Sequence, residues 1–259
     1  MNKTLLLILL ILLILLLILL VLFLVSFYKK VETFEQKYTA IIVEPRKHPA
    51  LRYVLNNFCT NLSDDWQFII FHGNLNKEFV EEIIDDDLQK YKDKIKLIDL
   101  HVDNLQISDY NKLFKSLEFY DNIPTETFLV FQTDSIICSE NKEKLKEFLH
   151  YDFVGAPWKE GDGGTEVRNG GLSLRKKSKM IEILQNKPGD DMNEDVYFCH
   201  YDNINKPEFD ESKKFSVESI FYDSPFGVHK AWAYLSDDEQ NELNEHCKAY
   251  KTLKEKNMK

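Results

Sequence analysis

Four short stretches of this sequence hold residues whose types and spacing suit chemistry on a charged ligand. Gln132-Thr133-Asp134-Ser135 directly follows the apolar run Phe128–Phe131. A carboxylate at the tip of a buried strand is held rigidly and suits a hard divalent cation that also binds phosphate oxygens. The same residue type also caps turns through backbone N–H groups. Asn169-Gly170-Gly171-Leu172-Ser173-Leu174-Arg175 carries two glycines. They allow backbone to approach a ligand where a Cβ would collide, or a tight turn into an edge strand. Asn193-Glu194-Asp195 opens a helical pattern. A carboxylate there is kept ionised by the helix dipole and could accept a proton from a hydroxyl, or could form only an acidic first turn. His229, in Gly227-Val228-His229-Lys230-Ala231-Trp232, has an imidazole suited to a metal or to a purely structural role. Trp158, after Phe153–Pro157, could stack on a sugar ring or cover the core.

These residues need elements to hold them. Short apolar runs at 40–43, 66–71, 95–100 and 128–131 alternate with helical spacing at 48–58, 79–91 and 108–120, the last with Ser108 as its N-cap. Strands separated by helices of this length predict an α/β domain with a mostly parallel sheet flanked by helices. Ligands of such sheets gather at the carboxyl ends of strands, here after Val43, Phe71 and Phe131. No Gly-rich turn follows the first strand, which excludes the dinucleotide fingerprint and the P-loop. Gly161-Asp162-Gly163-Gly164 reads as a loop.

Ahead of this domain, Leu5 to Phe27 carries no charge and one polar residue, Ser26. As a helix it is long enough to cross a hydrocarbon core of about 30 Å. The expected organisation is a short tail (1–4), a single transmembrane anchor (5–28), a stem (29–38), a catalytic domain (39–235) and a C-terminal helix and basic tail (236–259). Lysines flank the anchor on both sides, so charge alone leaves its orientation open. A short N-terminal tail suits a type II protein, and Asn61-Leu62-Ser63 is a glycosylation sequon usable only in a lumen. The net charge of −10 disfavours a nucleic-acid partner. Lys248 to Lys259 is the one basic stretch and reads as a solvated helix or tail. Cys59, Cys138, Cys199 and Cys247 form no CxxC pair, which disfavours a zinc cluster and leaves three pairings, or none, open.

Taken in order, the strand-end Asp, Gly-Gly segment, Glu-Asp helix start and late Gly-x-His resemble the GT-A glycosyltransferases. More closely, the chain is similar to an uncharacterised glycosyltransferase-like domain family through its stretches FQTDS, VGAPW, NGGLSLR, NEDVYF and PFGVHKAW. Relatives of this kind occur in large DNA viruses, and the Lys-, Asn- and Ile-rich composition would suit an AT-rich genome. The resemblance covers Thr39 to Tyr234 and implies a GT-A-like, Rossmann-like domain that uses Mn²⁺ or Mg²⁺. It implies metal ligation by Asp134 and His229, and a donor site, for a UDP- or GDP-sugar, of Glu44, Gln132, Asp134, Gly170, Gly171 and Arg175. It implies catalytic roles for Asp195 and Glu194, and an acceptor side with Trp158 and Asn169. Gln132 departs from the family's Asp-x-Asp pattern, and an amide is a poorer metal ligand than a carboxylate. The expected function is sugar transfer to a glycan or protein acceptor by a membrane-held enzyme facing a secretory-pathway lumen. The alternatives are a non-catalytic glycan- or protein-binding domain, and a nucleotidyltransferase, which expects a basic Gly-rich loop that this chain lacks near its first strand.

Overall fold

The computed structural model describes residues 11–21, 36–159, 168–187 and 191–258. The chain divides into two units, Met1–Glu35 and Gln36–Lys259. In the first, residues 11–21 are helical and every side chain is exposed and apolar. The rest of the expected anchor and most of the expected stem lie outside the described residues, as does the Gly161–Gly164 segment. Among the described residues no helix is long and apolar enough to cross a membrane.

The second unit is built on a six-stranded sheet of order β3-β2-β1-β4-β7-β6. Its strands are β1 (Tyr38–Val43), β2 (Trp66–His72), β3 (Ile95–Asp99), β4 (Thr127–Phe131), β6 (Phe153–Pro157) and β7 (Arg168–Lys176). β3, β2, β1 and β4 pair in parallel, whereas β7 pairs antiparallel with both β4 and β6. The sheet is therefore mixed, with β7 the one reversed strand. β7 is also an interior strand, so its glycines do not lead into a sheet edge.

Alternation along the strands sorts the core into two layers. Ala40, Ile42, Phe68, Ile70, Leu129 and Phe131 join one cluster, which packs under helices α1 (Leu51–Asn61) and α2 (Lys77–Asp87). Ile41, Val43, Ile69, Phe71, Phe128 and Val130 join the other, under α3 (Ile107–Phe114), α4 (Leu117–Asp121), α6 (Lys177–Asn186) and α7 (Glu194–Cys199). The helix expected over 79–91 stops at Asp87, because Asp85, Asp86 and Asp87 oppose the negative end of the helix dipole. The helix expected over 108–120 begins at Ile107 after Gln106 and breaks at Ser116. The Ser116 side chain caps the second piece, and Ser108 caps neither.

Strand order reverses between β1 and β4, the place where an open α/β sheet forms its ligand crevice. A small sheet flanks that place, with β5 (Ser135–Ile137) antiparallel to β9 (Gly227–His229), which runs parallel to β8 (Ser216–Val217). Asn57 of α1 holds β5 through both its amide atoms, donating to the Ile137 carbonyl at 3.0 Å and accepting its N–H at 2.8 Å. α5 (Leu145–Phe148) and α8 (Phe209–Phe215) buttress the same side.

The C-terminal segment forms α9 (Asp237–His246), started by a Ser236–Glu239 capping box, and α10 (Ala249–Asn257). It is not a solvated tail: Tyr250 and Leu253, three apart on one face of α10, belong to the core, as do Leu243 of α9 and Cys247 four residues on. A disulfide joins Cys138, just after β5, to Cys247, after α9, while Cys59 and Cys199 are buried free thiols.

Candidate active site

The crevice at the ends of β1 and β4 has a volume of about 560 Å³. Glu44, Gln132, Asp134, Trp158, Asn169, Gly170, Gly171, Glu194, Asp195 and His229 all border it. Four local features bring together residues far apart in sequence.

The first is the tip of β4. Phe131 stacks on Phe58 of α1 with ring centroids 4.0 Å apart, which fixes the strand end. Gln132 N donates to Ser135 Oγ at 3.0 Å, and Ser135 Oγ donates to the Gly171 carbonyl at 2.9 Å. The turn between them presents Gln132 and Asp134 to the crevice.

The second is the pairing of β5 with β9. Ser135 faces His229, and Lys230 N donates to the Asp134 carbonyl at 2.9 Å. Lys230 is held at φ 46°, a left-handed conformation uncommon outside glycine. His229 Nε2 thereby comes 3.2 Å from Asp134 Oδ1 and 3.3 Å from Gln132 Oε1. Its Nδ1 faces Glu218 Oε1 at 2.9 Å, and the same oxygen accepts from Asn169 Nδ2 at 3.0 Å.

The third is a bulge in β7. Gly155 pairs with Ser173 and Pro157 with Arg168, so Asn169 to Leu172 all face the single residue Ala156. The excess backbone swells towards the crevice. A Cβ on Gly171 would stand 2.2 Å from His229 Nε2 and 2.7 Å from Gln132 Oε1. Only glycine permits this approach.

The fourth is the start of α7. Asp195 Oδ2 accepts from Gly170 N at 3.3 Å and Oδ1 from Val196 N at 2.9 Å. Burial, then the Glu194 charge, push the Asp195 pKa up to about 6, against the lowering pull of those N–H groups and Arg175. Such a carboxylate is ionised at neutral pH and still basic enough to take a proton.

Arg175 stands apart from the expected site. It is fully buried, its guanidinium forked onto Glu194 at 2.6 and 2.9 Å and packed beside Phe153 and Phe114. It does not border the crevice and cannot neutralise a diphosphate there. Glu194 is 4% exposed and engaged by Arg175, which makes it a support for Asp195 rather than a proton acceptor. Glu44 is likewise committed, to Arg46, through contacts of 2.8 Å from both Nε and Nη2.

Sequence reasoning missed Arg46, Lys230 and Glu218. Arg46, with a side chain 54% exposed, and Lys230 are cations at the crevice wall. Glu218 follows the two-residue strand β8, which is too short to carry a periodic signal. It comes level with His229 only through the parallel pairing of β8 with β9, in which Val217 stands opposite Val228.

A divalent cation fits this geometry. Asp134 Oδ1 is buried without a well-formed hydrogen bond. With Glu218 accepting the Nδ1 proton, His229 Nε2 is the nitrogen turned towards Asp134 Oδ1 and Gln132 Oε1, and it offers them a lone pair once its own proton is displaced. Three electron-pair donors that close need a proton or a cation among them. Burial alone would favour the neutral ring, but Asp134 and then Glu218 outweigh it and hold the His229 pKa up to about 10. Burial would raise the Asp134 pKa, but the charge and hydrogen bonding of His229 bring it below the usual carboxylate range. A cation would compete with the shared proton, and the carboxylate behind the imidazole is the customary support of a metal-bound histidine. Among the described residues no group of three or more His, Cys, Asp or Glu side chains is placed to hold a metal. The third donor would be the Gln132 amide.

The family model described as "Protein of unknown function (DUF5672)" matches residues 94–229, just over half of the chain, from the start of β3 to His229. No curated protein matches the sequence. Among solved structures, galactosyltransferase LgtC in complex with donor and acceptor sugar analogs aligns over 85% of this chain and 95% of its own, at 9% identity and a TM-score of 0.53. Glycosyltransferase GlyE of Streptococcus pneumoniae TIGR4 aligns over 86% and 61%, at 12% identity and a TM-score of 0.51. Mannosyltransferase PcManGT from Pyrobaculum calidifontis, in complex with GDP-Man and Mn²⁺, aligns over 68% and 55%, at 11% identity and a TM-score of 0.47. The chain thus spans less than two thirds of GlyE and of PcManGT. At such identities the likeness to LgtC and GlyE is one of fold.

Proposed function

The chain belongs to the DUF5672 family, whose description assigns no chemistry, and we propose from the geometry of its crevice that it transfers a sugar from a nucleotide-sugar donor to an acceptor hydroxyl. The observation that carries this reading is the convergence of Gln132, Asp134 and His229 at the β1/β4 switch, in one crevice with Asp195. Nucleotide ligands favour that place in open α/β sheets, and the fold shared with LgtC and GlyE agrees with the reading.

In this mechanism Asp134, His229 and Gln132 would hold Mn²⁺ or Mg²⁺, which would supply neutralisation of the departing diphosphate. Lys230 adds positive charge at the wall of the crevice, whereas the charge of Arg46 is matched by Glu44. Asp195 takes the proton of the acceptor hydroxyl as its oxygen bonds to the anomeric carbon. The bond from that carbon to the nucleoside diphosphate breaks, and the diphosphate leaves with the electron pair. Asp195 as base describes transfer with inversion. In transfer with retention it would orient the acceptor.

We place the domain on a membrane, held by the N-terminal helix. The exposed apolar side chains of residues 11–21 support this reading, and the Cys138–Cys247 disulfide suits an oxidising lumen. Resistance of the expressed protein to alkaline carbonate extraction, with the domain protected from protease in sealed vesicles, is the expected outcome.

The deciding experiment screens UDP- and GDP-sugars for release of nucleoside diphosphate by the full-length protein in detergent, with Mn²⁺ or with EDTA, beside Asp134→Ala. Metal-dependent release absent from the variant is expected. A folded protein that neither binds nor hydrolyses any donor would instead be a binding domain, the reading that the amide at Gln132 favours.

A further inference from the structure

A second cavity, of about 350 Å³, opens beside the crevice and is lined by Trp158, Glu218, Ser219 and Tyr234. Trp158, Glu218 and Tyr234 also border the crevice, so the two spaces adjoin at the carboxylate that supports His229. Two polar groups in this cavity's wall are unspent. Ser219 is 4% exposed and its Oγ has no hydrogen-bond partner, and neither has the buried Nε1 of Trp158. A buried hydroxyl or indole N–H left unpaired costs about 1–3 kcal/mol, and one that lines a cavity can take its partner from whatever fills the cavity.

We infer that this cavity is the acceptor subsite and that the acceptor is an uncharged sugar ring, a reading that rests on the glycosyltransferase assignment above. The lining matches a hexopyranose in kind. Trp158 and Tyr234, the latter 48% exposed, offer aromatic surface to the C–H face of a ring. Ser219 Oγ and Trp158 Nε1 offer hydrogen bonds to its hydroxyls. Glu218 is fixed by Asn169 and His229, so its negative charge is built into the wall and disfavours a uronic or sialic acid. Among the described residues the lining is aromatic and polar, which suits a sugar ring better than an aliphatic peptide side chain. A ring seated here would lie next to the crevice that holds Asp195.

The test needs no turnover. Full-length protein in detergent micelles is probed by saturation-transfer NMR with methyl glycosides of neutral hexoses, with methyl glucuronide and with a Ser/Thr-containing peptide. At least one neutral glycoside is expected to bind, with affinity lowered about five- to tenfold by Trp158→Ala and by Tyr234→Ser, the weight of one aromatic contact. Ser219→Ala should weaken it less. Tyr234→Ser alters a half-exposed side chain, so the proposal stays testable where Trp158→Ala unfolds. Glycoside binding unchanged in folded variants, glucuronide binding as tightly as the neutral sugars, or binding of the peptide alone would overturn it. UDP and GDP titrations of the unmodified protein with Mn²⁺ test the underlying assignment separately. Their failure beside intact glycoside binding would remove the transferase and leave the sugar site.

Discussion

Glu218 Oε1 lies 2.9 Å from His229 Nδ1, and that contact decides which way the imidazole works. With the Nδ1 proton given to Glu218, Nε2 is left to Asp134 and Gln132, 3.2 and 3.3 Å away. Glu218→Gln keeps the shape and removes the charge behind the ring. Mn²⁺ affinity, followed by electron paramagnetic resonance of the free ion, should fall about 10- to 100-fold. Unchanged affinity would mean that Glu218 does not tune a metal ligand.

The adjacent glycines of β7 should fail differently. The Cβ of Gly171→Ala meets His229 and Gln132, so metal binding and donor hydrolysis should drop by roughly two orders of magnitude with a small change in melting temperature. The Cβ of Gly170→Ala stands 2.2 Å from Glu194 Oε1 and 2.9 Å from Arg175 Nη2. Its main effect should be on stability, through the ion pair. Urea unfolding and hydrolysis assays on both variants separate the two losses.

Arg175→Met leaves the Glu194 carboxylate buried without its partner and should cost about 3–5 kcal/mol in urea unfolding. Arg175→Met with Glu194→Leu should recover much of that, since replacing both charges by packed apolar groups is close to neutral. A raised donor KM at native stability would instead put Arg175 in contact with the substrate.

Asp195 should set the acid limb of the activity profile. Its pKa is raised to about 6, so the base is ionised above that pH, and rate should fall tenfold per unit below it. Asp195→Asn should lose the limb along with most transfer. The stability effect has the opposite sense. The folded pKa exceeds the unfolded value near 4, so ionisation disfavours the folded state. Native stability relative to Asp195→Asn should fall as pH rises from about 4 to about 6 and stay lower above it, by on the order of 1–3 kcal/mol. Denaturation at pH 4 and pH 7.5 checks the sign.

Local sequence determined much of this protein. Apolar runs bounded by Glu44-Pro45, His72-Gly73 and Gln132 place the parallel strands to within a residue or two, because burial on both faces demands continuous hydrophobicity. The strand-end Asp134, the glycine pair and the helix-start Asp195 were equally legible, since each depends on its own neighbours. The tertiary structure decided the rest. Arg175 reads as a free cation in sequence, yet its register opposite Phe128 and Phe153 carries it into the core, where Glu194 neutralises it. The reversed direction of β7, the Cys138–Cys247 bridge and the placing of Glu218 behind His229 come from long-range pairing. β8 and β9 are too short to announce themselves, and the β5–β9 ladder joins segments some ninety residues apart. No local pattern encodes such a contact, because its free energy is gained only when the two segments meet.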